Sequence, residues 1–529
     1  MRIISSKFKT FVSEFDLFKN ISNRYFLLFF FLYFTLGCYI SYQNVVTSNI
    51  YFGADNYRAF GDLTELIFWN HYRIKVHPLF LLFTQPITLL IKGICLNPKL
   101  AVVIIESLCG AFFVKTFYLS LEFMNLNSFI VKRFSLILGF SFSFLIFSTT
   151  PETFIFSGLS SCLFFQFLIK NGISLDYKSN KNLFILSLFA TLLIGMIITN
   201  YILFFIGIFV TLCFKNDIKI YDKIKVILKI FCFSFFITIA MCCLQKLVWN
   251  SCPIFISSII DGLTGKGYEE TLYINTNFFS LTELKKYILL FFFYPLISPS
   301  MQLTVYDKWT FIEFTQYHFS QKILVISYVL LCFVSILYFV VKVLKKRKLK
   351  NKFPLVLSCT FLIFNFFLHF LYGKHEAFIY SCNYLYLVLI SLAIMIDITF
   401  KENTRLVSIS KFFITFLIFV ETINNLHYFE KTQKLTNEIL KINYEISQFV
   451  QVISYFAIGC LISFFVIYKI KNSNSLSGSD SAVMNSKTIK YGLFIIISIF
   501  LIFELLAIAI QAGGITGFLQ AVVNEFHLM

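Results

Sequence analysis

Residues 25–40 read Tyr-Phe-Leu-Leu-Phe-Phe-Phe-Leu-Tyr-Phe-Thr-Leu-Gly-Cys-Tyr-Ile and contain no charged side chain. The segment Met1–Asn20 ahead of this stretch carries Arg2, Lys7, Lys9 and Lys19. No small-residue cleavage site follows it, as one would follow a secretory signal peptide. The pattern therefore predicts an uncleaved membrane span whose amino-terminal side lies in the cytoplasm.

The rest of the chain has the same character as this first span. Of its 529 residues, 58% are apolar and only 14% are charged, whereas about a quarter of the residues in a soluble domain carry a charge. The mean hydropathy is +0.80. These values predict an all-α, polytopic transmembrane helical bundle of about a dozen helices, each needing ~20 apolar residues. The net charge of +18 falls in short runs between apolar segments, so we expect no nucleic-acid partner.

The basic runs predict which loops are cytoplasmic, because Lys and Arg concentrate on that side of a membrane. They fall at 132–133, 170–181, 215–225, 342–352, 401–411 and 469–490. The apolar runs between them pair as outward and inward spans: 134–150 with 153–169, 226–248 with 322–343, 354–372 with 378–396, and 409–426 with 449–469, followed by 491–511. The stretch 182–214 has the length of two short helices broken near Thr199 and Asn200.

Two apolar runs do not fit this alternation. If 77–96 and 100–121 both span, Lys132 and Arg133 fall on the wrong side, so the first of them is re-entrant or the charge rule fails there. The run 287–305 raises the same question. A Ser- and Asn-rich segment near 470–490 is interpreted as a flexible cytoplasmic linker, and the whole chain 1–529 as one membrane domain.

The thirteen cysteines form no Cys-x-x-Cys pair and no His/Cys metal spacing, and most lie inside apolar runs, so we interpret them as free core residues. No Gly-rich phosphate loop is present, which argues against ATP-driven pumps and kinases.

Charged and irregular segments map to one predicted outer face. They are the loop 44–76, the turn 149–152, the loop 249–286 and the turn 373–376. Acids, bases and histidines from distant parts of the chain would thus converge there. Because charge near a bilayer is costly and tends to be functional, the pattern predicts a catalytic or binding cavity at the outer membrane–water boundary.

The loop 44–76 contains a helical period over 56–69. Phe60, Leu63 and Ile67 share an apolar face suited to a membrane surface, and the charged residues share the other face. One interpretation is structural: Asp55 is an N-cap, and Arg58 with Asp62 forms an ordinary i,i+4 pair. The other makes Asp55 a general base beside Arg58. The two interpretations are compatible.

Three motifs carry a resemblance to a known family. They are Tyr51-Phe-Gly-Ala-Asp55-Asn-Tyr-Arg58, Val76-His77-Pro78-Leu79-Phe80 and Pro151-Glu152. The order of these motifs and their predicted side of the membrane resemble those of the GT-C superfamily of membrane glycosyltransferases. The size and composition of the chain resemble those of the bacterial enzymes that modify O-antigen, lipopolysaccharide or related surface polysaccharides. Leu79 replaces a proline common in that family, and no carboxylate adjoins Asp55. The resemblance covers roughly 1–215 as a catalytic module and leaves 216–529 as a variable helical half.

The resemblance implies an inverting hexosyl transfer from a polyprenyl-phosphate sugar to a glycan or lipid-linked acceptor, at the periplasmic face of the bacterial inner membrane. Its candidate catalytic carboxylates are Asp55, Asp62 and Glu152. Its candidate phosphate ligands are Arg58, Arg73, Lys75, His77, Lys374 and His375. Its candidate acceptor or sugar contacts are Asn56, Glu376, Tyr380 and Tyr384. A divalent metal is compatible with the acids, although no ligand spacing indicates one.

Structural alternatives stay open for several of these residues. Glu152 is also suited to support a helix N-terminus, His77 to cap its helix, and 374–376 to form a solvated turn. Asp55, Glu152 and His375 are expected on the periplasmic side, with Lys346 and Ser479 in the cytoplasm.

Two rival functions stay open, and the first of them shares this lipid-phosphate chemistry. One is a polysaccharide polymerase or ligase. The other is a transporter or flippase, which would need polar residues at mid-membrane; the few candidates are Glu106, Lys115, Asn200, Asn365 and His369.

Overall fold

The computed structural model describes residues 20–42, 51–66, 76–215, 218–249, 280–306, 309–344, 352–373, 376–400 and 404–440. This part of the chain is mostly helical. Its first nine α-helices are α1 (Ile21–Tyr42), α2 (Asn56–Thr64), α3 (Phe80–Cys95), α4 (Pro98–Phe123), α5 (Ser128–Phe140), α6 (Phe142–Phe147), α7 (Phe154–Phe167), α8 (Asn180–Met196) and α9 (Asn200–Cys213). The remaining α-helices are α10 (Ile220–Val248), α11 (Leu281–Ile288), α12 (Phe319–Leu344), α13 (Lys352–Leu371), α14 (Leu385–Phe400) and α15 (Thr404–Leu440).

Seven helical segments within the described residues are long and apolar enough to cross a membrane. They are Ile21–Ser41, Pro98–Phe123, Phe154–Gly172, Ile220–Val248, Phe319–Leu337, Lys352–Leu371 and Lys411–Thr436. Each coincides with an apolar run that the sequence analysis identified. The helical, membrane-protein character predicted from composition is therefore confirmed. The predicted runs 449–469 and 491–511 and the linker near 470–490 lie outside the described residues.

Helices α1, α4 and α7 form the centre of the bundle, where glycines allow close approach. A Cβ atom on Gly110 of α4 would come within 2.1 Å of the Ser148 Oγ. One on Gly158 of α7 would come within 2.4 Å of the Cys382 carbonyl oxygen. Small residues at such crossings let helix backbones pack closely where lipid offers no hydrophobic driving force. These contacts hold the turn after α6 and the segment before α14 against the central helices.

The run 134–150 is not one continuous helix, contrary to the prediction of a single span. It contains the end of α5 and all of α6, which are separated at Ser141. The interrupted backbone finds partners elsewhere: the Ser143 N–H donates to the Pro295 carbonyl at 3.0 Å. The Asn425 amide donates to the Phe140 carbonyl at 2.9 Å. Non-helical backbone is tolerated at membrane depth only when protein groups satisfy it in this way.

Helices α8 and α9 confirm the predicted break in 182–214. Helix α8 ends at Met196, and α9 begins at Asn200. At the break, the Ile198 N–H donates to the Val76 carbonyl at 3.1 Å, and the Leu79 N–H donates to the Gly195 carbonyl at 2.9 Å. These bonds position the segment that carries His77.

Neither of the two ambiguous runs forms a full-length helical span. Helix α3 has 16 residues and is about 24 Å long, shorter than a hydrocarbon core of about 30 Å. The run 287–305 leaves the end of α11, passes through a π-helical turn at Leu289–Phe293 and enters strand β1. Both findings agree with segments that do not cross the bilayer as single helices.

A β-hairpin follows, which the all-α prediction did not include. Strand β1 (Met301–Tyr306) pairs antiparallel with β2 (Trp309–Phe314). Tyr51 forms an isolated bridge with Ile312 of β2, and the Phe52 ring stacks on Phe314 at 4.3 Å between centroids. The hairpin thus fixes the start of the first loop immediately before Asp55.

Candidate functional site

Helix α2 carries most of the predicted site residues. Asp55 occupies its N-cap position, as expected, but the side chain makes no capping hydrogen bond. The helix ends at Thr64, because Glu65 adopts an extended conformation; the predicted continuation to 69 lies partly outside the described residues. The carboxylate of Asp55 is therefore not committed to its own helix terminus.

The charged face of α2 points into the protein. Asn56, Arg58 and Asp62 are buried, as is Leu63 of the apolar face. Tyr57 is 41% exposed. Because both the charged and the apolar residues are packed, α2 is held inside the fold, whereas the sequence period had suggested an apolar face resting on the membrane.

Helix α3 holds the carboxyl end of α2. The Gln85 amide donates to the carbonyls of Asp62 and Glu65 at 2.7 and 2.8 Å, and the Lys92 ammonium donates to the Thr64 carbonyl at 3.1 Å. These are the carbonyls that a helix end leaves without intrahelical partners. Neither residue was predicted from the sequence, although two polar side chains seven positions apart on one face of an apolar helix were a visible signal.

Arg58 is surrounded by three carboxylates. Its Nη1 lies 2.7 Å from Asp62 Oδ2, its Nε 3.5 Å from Asp55 Oδ2, and its Nη2 3.9 Å from Glu152 Oε1. We call these four residues the Arg58 cluster. The side chains of Arg58, Asp62 and Glu152 are 4%, 3% and 1% exposed, whereas that of Asp55 is 31% exposed. Asp55 is therefore the accessible end of an otherwise buried network.

Glu152 links the first loop to the start of α7. Its carboxylate accepts hydrogen bonds from the backbone N–H groups of Asp55 (3.0 Å) and Thr153 (2.7 Å), which are the N-cap residues of α2 and α7. A negative charge is favourable at a helix N-terminus, so the predicted structural role of Glu152 is present. Burial raises the pKa of Glu152, the Arg58 guanidinium opposes that rise, and Asp55 adds to it.

A further acid lies behind Glu152. Glu106 of α4 is fully buried, and its Oε1 accepts the Glu152 backbone N–H at 3.2 Å. Its Oε2 has no hydrogen-bond partner among the described residues. From the sequence, Glu106 was predicted only as a polar candidate for transport. An acid in the interior of a long apolar helix was the available signal.

His77 lies next to the Arg58 cluster through Thr153. The His77 Nδ1 is 2.7 Å from the Met196 carbonyl at the end of α8, so this nitrogen carries a proton and donates it. The Nε2 is 3.4 Å from the Thr153 hydroxyl, which is in turn 3.0 Å from Glu152 Oε1. The His77 ring therefore joins α8 to α7 rather than capping α3, whose N-cap residue is Leu79.

The predicted sugar contacts separate into two groups. Tyr380 donates to Glu376 Oε2 at 3.1 Å, stacks on His369 at 4.3 Å and meets the edge of Phe154 at 4.8 Å. It lies at the margin of the site, because Phe154 also contacts His77. Tyr384, in contrast, is buried, stacks on Phe291 at 3.7 Å and donates to the Ala377 carbonyl, which makes it a core residue.

The structure thus brings Asp55, Asn56, Arg58, Asp62, His77 and Glu152 together, with Glu376 and Tyr380 alongside. Four predicted phosphate ligands lie outside the described residues: Arg73, Lys75, Lys374 and His375. So does the loop 250–279. Arg58 was also predicted to bind phosphate, but its guanidinium already contacts three carboxylates.

Within the described ranges, no three His, Cys, Asp or Glu side chains are placed to hold a metal ion. In the Arg58 cluster, the acids converge on a guanidinium instead. Chemically, this arrangement holds the Asp55 carboxylate beside a guanidinium at an accessible surface.

No family model and no curated protein matches this chain.

Proposed function

We propose that this protein is a membrane glycosyltransferase of the GT-C kind, using a polyprenyl-phosphate sugar as donor at the periplasmic face of a bacterial inner membrane. The observation that carries the proposal is the asymmetry of the Arg58 cluster. Three of its four side chains are buried, and the fourth, Asp55, remains 31% exposed. A carboxylate that is oriented by a buried guanidinium and open to solvent is placed where a general base can meet an acceptor hydroxyl.

In this proposal Asp55 accepts the proton of an acceptor hydroxyl as its oxygen attacks the anomeric carbon of the donor. The new carbon–oxygen bond forms while the bond between the anomeric carbon and the phosphate oxygen breaks. The lipid phosphate leaves with that electron pair, and attack from the opposite side inverts the anomeric centre.

Arg58 acts on this step through Asp55. Its Nε approaches Asp55 at 3.5 Å, while Asp62 and Glu152 hold the other end of the guanidinium. We therefore assign Arg58, Asp62 and Glu152 to positioning. Other cations would stabilise the negative charge on the leaving phosphate. The candidates predicted from the sequence are Arg73, Lys75, Lys374 and His375.

The test is mass analysis of cell-surface glycans from cells with the gene, without it, and with Asp55→Asn at equal expression. Loss of one hexose-sized unit without the gene, and the same loss in Asp55→Asn, supports the proposal. Asn keeps the shape of the side chain at a position that makes no capping bond, but it cannot accept a proton. Glu65→Gln is the matched control, since Glu65 is an exposed acid at the other end of α2.

Two results would contradict the proposal. A change in glycan chain length, rather than the loss of a unit, would indicate a polymerase or ligase. Full sugar transfer by the Asp55→Asn variant would show that Asp55 is not the base. Asp62 or Glu152 would then be tested by replacing its carboxylate with the corresponding amide.

A further inference from the structure

A second charged site lies in a cavity of about 280 Å³ formed by the ends of α9, α10 and the loop before α8. Its charged lining residues, which we call the lysine pocket, are Asp176, Lys178, Lys215, Asp222, Lys225 and Lys229. Four lysines and two aspartates leave it with a net charge of +2. The volume is close to the lower end of the range for small-ligand pockets, roughly 300 Å³.

One wall of the lysine pocket is held rigidly. The Asp176 carboxylate accepts the Lys178 backbone N–H at 2.9 Å, and the Asn182 amide donates to the Asp176 carbonyl at 2.9 Å. Lys215 donates to the Leu175 carbonyl at 2.8 Å and lies over the buried Tyr177 ring at 5.2 Å. The cavity is therefore formed before any ligand arrives.

The other wall is one face of α10. Asp222, Lys225 and Lys229 follow at intervals of three and four residues, so they project from the same side of the helix. Among the described residues, none of the pocket lysines forms an ion pair with Asp176 or Asp222. Ammonium groups that have no carboxylate partner and surround a preformed cavity are suited to bind an anion.

The surface of α10 next to the pocket indicates which kind of anion would bind there. Phe233 and Phe236 are 53% and 70% exposed and lie four and seven residues beyond Lys229, on the same side of this membrane-spanning helix. This apolar strip starts beside the pocket and runs away from it toward mid-helix. A ligand with a phosphate head and a hydrocarbon tail would contact both surfaces at once, whereas a free ion would use only the first.

We propose that the lysine pocket binds the phosphate group of an anionic membrane lipid, whose acyl chain lies along the exposed apolar strip of α10. The site is separate from the Arg58 cluster, and the proposal does not depend on the function proposed above. All of its residues except Lys229 belong to the basic runs 170–181 and 215–225, which are predicted from the sequence to be cytoplasmic. Basic pockets between helices on that side meet anionic headgroups.

The experiment measures lipid binding to the purified full-length protein in detergent micelles by native mass spectrometry, with phosphatidylglycerol as the anionic probe and phosphatidylcholine as the neutral one. The pocket variant is Lys178→Gln with Lys225→Gln and Lys229→Gln. The matched control is Lys181→Gln with Lys219→Gln and Lys223→Gln, which removes the same charge from the same region outside the cavity lining. We expect the pocket variant to bind phosphatidylglycerol at least tenfold more weakly and the control to change less than twofold.

Equal weakening in both variants would overturn the proposal, since it would mean diffuse attraction between basic loops and acidic lipid. Equal binding of phosphatidylcholine and phosphatidylglycerol would also overturn it. The Asp222→Asn variant gives an independent test that does not require the triple variant to fold. Loss of this pocket carboxylate should tighten phosphatidylglycerol binding severalfold. Unchanged or weaker binding would contradict the proposal.

Inorganic phosphate distinguishes the source of the phosphate group. If the lipid tail contributes, millimolar phosphate leaves bound phosphatidylglycerol in place, which supports the lipid proposal. If phosphate displaces the lipid completely at that concentration, the pocket is an ion site and the assignment of the acyl chain to α10 fails.

Discussion

The Arg58 cluster and the lysine pocket treat charge in opposite ways. The Arg58 cluster has one cation among three acids, is buried except for Asp55, and has every charged side chain in an ion pair. The lysine pocket has an excess of cations, stands open, and forms no ion pair between its lysines and its aspartates within the described residues. Charge in the first region is used to fix geometry, whereas in the second it is available to a ligand.

The difference has a physical origin in burial. A buried charge without a partner costs several kcal/mol, so Arg58, Asp62 and Glu152 can be tolerated only as a mutually paired set. An exposed lysine keeps its water and needs no partner, because surface ion pairs contribute little. Substitutions should therefore disturb the fold at the Arg58 cluster and ligand binding at the lysine pocket.

The largest expected difference is one of sidedness. In a background that lacks all thirteen cysteines, Tyr57→Cys and Lys225→Cys should label from opposite sides of the membrane. An impermeant thiol reagent applied to intact spheroplasts should label only position 57. Both positions are exposed, whereas Glu152 is too buried to serve as a probe. Labelling of both from outside would contradict the predicted topology and remove the periplasmic setting of the proposed reaction.

The next largest effect is expected from removing the central cation. Arg58→Ala should lower the free energy of unfolding by about 3–5 kcal/mol, because it leaves buried carboxylates without their partner. Arg58→Lys should recover less than half of that loss, since one ammonium cannot contact three carboxylates as a planar guanidinium does. Thermal unfolding of the purified protein measures both, and an unchanged melting temperature in Arg58→Ala would mean that the ion pairs do not stabilise the fold.

A smaller effect, which depends on pH, is expected at Glu152. Burial raises its pKa in the folded protein above the ordinary value of 4.5, so the folded chain retains a proton that the unfolded chain releases. The stability from this group is complete below pH 4.5 and falls as the pH rises toward the folded pKa. The Glu152→Gln variant has no ionisable group at this position and does not lose this stability. The melting temperature of the variant minus that of the wild type should therefore increase as the pH rises above 4.5.

The control for this comparison is Glu65→Gln, an exposed acid outside the Arg58 cluster, whose difference from the wild type should not vary with pH. A constant difference between Glu152→Gln and the wild type across the same range would mean that the Glu152 pKa is not raised.

The smallest effect is expected in the lysine pocket. Lys225→Gln should shift the melting temperature by less than about 2 °C, because exposed substitutions away from paired or packed groups seldom change stability by more than about 0.5 kcal/mol. The same purified protein should bind phosphatidylglycerol more weakly than the wild type. A large loss of stability would place Lys225 in a structural role and end the contrast between the two regions.

The fold was predictable wherever hydrophobic length was the deciding property. The runs 100–121 and 354–372 correspond to Pro98–Phe123 and Lys352–Leu371. The break at Ser141 was not predictable, because the groups that satisfy it, the Pro295 carbonyl and the Asn425 amide, lie far away in the sequence. The hairpin was hidden in an apolar run, although Thr304, Val305 and Tyr306 are residue types that favour strands.

The sequence predicted which residues form the site better than it predicted what each of them does. Spacing alone suggested the Arg58–Asp62 pair, and the resemblance suggested Glu152 as a second acid near Asp55. The spacing of residues in the sequence does not indicate how deeply each side chain is buried. The packing of α2 against α3 and the turn before α7 decides that Arg58 is engaged by three acids and that only Asp55 stays accessible. The contact between Glu106 and the Glu152 backbone was missed for the same reason.

The amide of Asn425 has a consequence for how the protein is made. It bonds to the Phe140 carbonyl, 285 positions earlier, and to the Leu296 carbonyl. At synthesis rates of about 5–20 residues per second, roughly 15–60 s pass between the appearance of the first carbonyl and its partner. During that interval the gap between α5 and α6 lacks this hydrogen bond. A chain that stops before residue 425 would carry the same defect permanently, and membrane proteases would encounter it as an unfinished product.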